Sequence, residues 1–144
     1  MVPEAAGPSI SLRDFLLALF ADLACDHRYA PSFAGNHREI HRFFWRLSRE
    51  ARFHDFVAEA LFDTNGSYPH AARIDELLRE FQLSGVLSRP NPTYRYHDIA
   101  LTTDSYAAQL RERLGEQQRE AFTLALARFK EELGRSRKTS PGGK

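Results

Sequence analysis

Four metal-capable side chains stand close together early in the chain. Cys25 and His27 form "CDH", and His37 and His41 form "HREIH", two imidazoles one helical turn apart. One thiolate and three imidazoles make a tetrahedral zinc set if the loop between the two motifs folds back. The pattern departs from the metalloprotease "HExxH", because Glu39 follows the first histidine by two positions and Arg38 stands beside the pair. A cysteine near the end of an apolar helix is also a good small core residue. Zinc is therefore only the remote alternative for function. Cys25 and His27, two residues apart, face different sides of a helix and make a poor nucleophile and base. The chain has no glycine-rich phosphate loop and no "GxSxG". Asp63 and Asp75 flank a turn, where a carboxylate stabilises a helix start more readily than it transfers protons. The reading is of a protein that acts by binding, without catalysis or a cofactor.

The residues best suited to binding are basic. Arg38, Arg42, Arg46 and Arg49 are spaced four, four and three apart. On a helix they form one stripe opposite Ile40, Phe43, Phe44 and Leu47, which Arg28 and Arg52 could extend. Four guanidinium groups in a row can track phosphates or an acidic protein surface. A second candidate set is Arg89, Tyr94, Arg95 and Tyr96, around "PNPTYRY". The chain as a whole carries a formal charge of only +1, so any electrostatic footprint is local.

The elements that must position these residues follow from periodicity. The 144 residues, 42% of them hydrophobic, suit one domain with one core. Residues 1–10 read as a flexible arm. Ser9 or Ser11 caps a first helix over 11–27, with Leu12, Phe15, Leu16, Leu19, Phe20 and Leu23 on its apolar face. "RYAPSFAGN" breaks the chain at Pro31 and Gly35. Asn36 caps a second helix over 37–50, and a third segment over 52–62 turns Phe53, Phe56, Val57, Ala60 and Leu61 inward. "DTNGSYPH" is a turn. Ile74, Leu77, Leu78 and Phe81 define a fourth helix over 70–84, which Gly85 ends. "VLSR" and "YRYHDIALT" read as two strands joined by "PNPT". A long last helix runs over about 103–134, with Gly115 as the point where it could break or kink, and with Tyr106, Leu110, Leu114, Ala121, Leu124, Ala125 and Phe129 near a heptad seam suited to a homodimer. The domain spans 11–134, and 135–144 read as a disordered basic tail.

The fold class expected is mainly α with a small β-hairpin, a winged-helix-like domain with N-terminal helices and a long C-terminal helix. "I..LL..F" followed by "SGVLSR" resembles the passage where winged-helix domains leave the third helix and enter the wing. "LFDTNGSYPHAARIDELLREFQLSGVL" is similar to the Panacea, or SocA-like, antitoxin family. There a glycine-proline-aromatic turn precedes such a helix; here Gly66, Tyr68 and Pro69 fall in that turn, as "GSYP" rather than a tight Gly-Pro pair. That resemblance implies partner binding and an adaptor or antitoxin role. Winged helices usually bind DNA, yet the expected reading helix carries Asp75, Glu76 and Glu80 against Arg73 and Arg79, which opposes a duplex. The expectation is thus a regulatory module that binds a protein partner, with a DNA-binding regulator as the alternative. The lone cysteine, the absence of a leader pattern and the short apolar runs point to a cytoplasmic protein with no membrane partner.

Overall fold

The computed structural model describes residues 10–34, 36–88 and 96–136. It is mainly helical, with a small three-stranded antiparallel sheet.

Helix α1 spans Leu12–Cys25, and the Ser11 hydroxyl caps it by accepting the Asp14 N–H at 3.0 Å. Leu17, Ala18 and Ala21 are buried along with the expected face, so α1 is the central helix rather than an amphipathic one. It packs against the first strand and the two C-terminal helices.

Strand β1, Tyr29–Ala34, is the first correction. The passage read as a break is the middle strand of the sheet, paired to β2 (Tyr96–Asp98) and β3 (Gly134–Ser136). Pro31 has no N–H to donate, and the β1–β3 register shifts between Tyr29 and Phe33, the interval that contains it. Its carbonyl still accepts the Ile99 N–H at 2.8 Å. The predicted hairpin is present in its described part. Leu87 and Ile99 form an antiparallel bridge, Ser88 N–H donates to the Asp98 carbonyl, and Ala100 N–H donates to that of Val86.

Helix α2, His37–Ser48, starts at Asn36, whose side chain accepts the Arg38 N–H at 2.9 Å. The third segment is shorter than expected: a 3₁₀ turn at Ala51–Phe53 and one helical turn, α3, at His54–Val57. Phe53, Phe56, Val57 and Ala60 are buried, but Leu61 is 81% exposed. Helix α4 spans Ala72–Leu83 and ends before Gly85, whose φ of 86° suits glycine alone.

The long last helix is divided. Helix α5 covers Ser105–Glu112 and α6 covers Glu116–Leu133, with Gly115 in extended backbone between them. The Gln118 side chain reaches back to the Gly115 N–H and restarts the helix. Leu110, Leu114 and Phe129, the proposed dimer seam, are buried inside this chain instead. The break lets α5 fold back on α1. Gly134 and the next two residues then form β3, so ordered structure continues past the boundary expected at 134. A Cβ at Gly134 would lie 2.6 Å from the Lys130 carbonyl oxygen and 3.0 Å from Leu23 and Tyr29 side-chain carbons, so the strand needs glycine to enter.

The core is aromatic. Phe20 stacks on Phe33 at 4.9 Å and meets Phe81 edge-on at 5.8 Å, while Phe15 contacts Phe44, Phe56 and Phe122. Phe129 from α6 closes on Phe20, Phe33 and Phe43. No helix among the described residues is long and apolar enough to cross a membrane.

Candidate functional site

Three features of the surface and its edge can bind something: the arginine row on α2, the outward face of α4, and a histidine–aspartate cluster that joins these two helices.

The row is as the helical spacing predicts. Arg38, Arg42, Arg46 and Arg49 are all exposed, with Ile40, Phe43, Phe44 and Leu47 buried behind them. Arg46 reaches Glu132 of α6 at 3.2 Å. The Arg49 guanidinium lies over the half-buried Trp45 ring, 5.3 Å from its centre. The suggested extensions differ. Arg28 turns to Asp26, and Arg52 lies 3.5 Å from Glu50. Arg89, Tyr94 and Arg95 lie outside the described residues. Tyr96 begins β2, and its side chain is also outside them.

On α4 the positions facing out are Ala72, Glu76, Arg79 and Leu83. Leu83 is 80% exposed. With Glu76, Arg79, Glu80 and Ser84 it lines an open depression of about 450 Å³. Glu80 is held by Arg13 of α1, and Arg73 bonds Glu76 at 3.2 Å. The face thus carries paired charges beside one large bare aliphatic side chain.

The cluster differs from the Cys–His set of the remote zinc alternative. Among the described residues, the donors that converge are His41, His70 and Asp75, with one ligand-capable atom from each within 4.8 Å of the others. Cys25 and His27 are not in the group, and the His37 side chain lies outside the described residues. Cys25 instead sits at the foot of α1. Burial, then the nearby Asp104 and Asp22, push its thiol up, away from the thiolate a metal or a nucleophile requires.

His41 is fully buried, and the backbone fixes its tautomer. Its Nδ1 accepts the Ala71 N–H at 3.1 Å, so Nε2 carries the proton and donates to Asp75 Oδ1 at 2.9 Å. The His70 Nε2 donates to the other oxygen, Oδ2, at 2.7 Å. The two imidazoles stack, 4.5 Å apart and inclined by 24°, and the Tyr68 ring lies 5.6 Å from His41. Asp75 stands in the first turn of α4, as expected, but its oxygens bind side chains as well as facing the helix dipole. Ala71, the cap residue, has only a methyl side chain, and its own N–H is taken up by His41, the part that a glutamate or glutamine at the third helical position plays in a capping box. Sequence reasoning missed His70 and Asp75 because they lie about 30 residues from His41. The available signal was a histidine closing the "SYPH" turn five residues before an acid in a helix start.

A second charged group joins α6 to the end of α1. Lys130 of α6 lies 2.9 Å from both Asp22 and Asp26 of the α1 end. The Arg28 side-chain bond, ahead of the Lys130 bond and charge, holds the Asp26 carboxyl far below the usual carboxylate range. Burial alone would lower Lys130, and its bonds to the two aspartates more than reverse that. Both groups tie α6 to the end of α1, and neither lines the α4 depression.

Comparison of the chain with protein-family models, with curated proteins and with solved structures found no match in any of the three.

Proposed function

We propose that this chain is a non-catalytic, winged-helix-like regulatory module that binds a protein partner through the outward face of α4. The element order supports the winged-helix part: helix, strand, helix, short turns, helix, then a two-segment ladder at 86–88 and 98–100 whose second segment continues from the strand beside β1. The antitoxin-like or adaptor role is the specific form that the "SYPH…SGVL" resemblance suggests.

The observation that carries the protein reading is Leu83. A leucine 80% exposed at the end of the would-be reading helix, next to Glu76 and Arg79, suits an apolar anchor with a polar rim. The same face suits a duplex poorly. DNA affinity comes mostly from cations on phosphates, and here Glu76 and Glu80 accompany Arg79. The second reading, a DNA-binding regulator, rests on a specific observation too: four exposed arginines on one face of α2, spaced to follow a phosphate backbone.

A salt titration separates them. The test compares the wild-type chain with a triple variant, Arg42→Ala, Arg46→Ala and Arg49→Ala, on mixed-sequence duplex DNA. On the protein reading neither protein binds duplex appreciably at physiological salt. Tight wild-type binding, with a log–log salt slope that falls by roughly 2.7 in the variant, would instead establish the DNA reading, since each phosphate neutralised by an arginine adds about 0.9 to the slope.

A further inference from the structure

We propose that His41, His70 and Asp75 form a binding site for one divalent transition-metal ion, of which zinc fits the donors best. Two imidazole nitrogens and one carboxylate oxygen are a common three-ligand zinc set, with the fourth position left to water. The three side chains come from α2, the turn before α4, and α4 itself, and their donor atoms converge within 4.8 Å. The degree of burial is graded in a way that suits entry. His41 is fully buried, whereas the side chains of Asp75 and His70 are 29% and 40% exposed. An ion can reach the site from the His70 side without opening the core.

The rearrangement needed is local. Ligands at zinc distances stand roughly 3.3 Å from one another, so the two nitrogens must converge on one point. The stacked rings, inclined by 24°, now direct their Nε2 atoms to separate oxygens of Asp75 rather than to one shared point. Turning the exposed His70 ring out of the stack supplies it, while His41 and Asp75 keep their places. The ion then takes the position of the two protons that the imidazoles now donate to Asp75. Each coordinating imidazole presents Nε2 to the ion and carries its proton on Nδ1. At His41 that proton meets the Ala71 N–H, which must turn away. Metal binding is therefore coupled to the start of α4, and the Ala71 amide reports it.

The probe is cobalt(II), followed by zinc, added to the untagged full chain. The expected result is one cobalt per chain with visible tetrahedral d–d bands, displaced by one equivalent of zinc, and a zinc-dependent shift of the Ala71 amide resonance. His70→Ala and Asp75→Asn should each weaken zinc by more than about tenfold. His70 is half-exposed, so its variant keeps the test valid if the Asp75 variant does not fold. Absence of the d–d bands would overturn the site. So would a thiolate charge-transfer band from Cys25, or full binding in His70→Ala. In any of those cases the cluster is a hydrogen-bonded clamp between α2 and α4 and nothing more.

Discussion

Single residues do two different jobs in this chain, and the difference is measurable. Phe81 is fully buried and meets Phe20 edge-on, as its place on the α4 stripe predicts. Phe81→Ala should cost about 3–5 kcal/mol, read as a lowered midpoint in denaturant melts. Asp26 works through charge. Its carboxyl titrates well below its ordinary value of 3.8, so the folded chain binds fewer protons there than the unfolded chain does. Its contribution is complete above about pH 4 and is lost as pH falls below that. Asp26→Asn should lower stability at neutral pH and flatten the acid limb of the stability curve, a comparison made by melts from about pH 3 to 7. Residue types alone could not reveal either this brace or the His41–Asp75–His70 cluster. Lys130 and Asp26 are 104 positions apart, and their pairing depends on α6 returning to the end of α1.

At the level of elements, most helices were legible because their apolar spacing and their caps agree. Ser11, Asn36 and Gly85 each stand where a helix boundary falls. The strands were harder. β1 contains a proline in a central position, a local signal that points away from a sheet and is overridden by pairing on both sides. β2 falls inside the strand read from "YRYHDIALT", but β3 is three residues long, too short to carry alternation. Gly115 marked a weak point in the last helix, but the apolar repeat across it looked continuous. The arginine row was legible in full, since a helix face is set by spacing alone. Its exposure also sets its mutational cost. The triple arginine variant should melt within about half a kcal/mol per site of wild type, because exposed side chains away from special contacts seldom contribute more. Arg46, paired with Glu132, is the one expected at the upper end of that range.

For the whole molecule, the division of the last helix changes the expected assembly. Leu110, Leu114 and Phe129 pack on this chain's own core, so that seam is not available to a second copy. Sedimentation at high micromolar concentration should give a monomer, and a dimer there would require a different surface. Among the described residues, the large apolar side chains that remain exposed are Leu83, beside the α4 depression, Leu61 and Tyr106. The most direct test of a protein partner on α4 is an affinity pull-down from the source cells, comparing wild type with Leu83→Asp under identical melting behaviour. A stoichiometric partner protein should come down with the wild type and be missing with Leu83→Asp. Recovery of the same protein at the same yield with both baits would rule out α4 as the docking face.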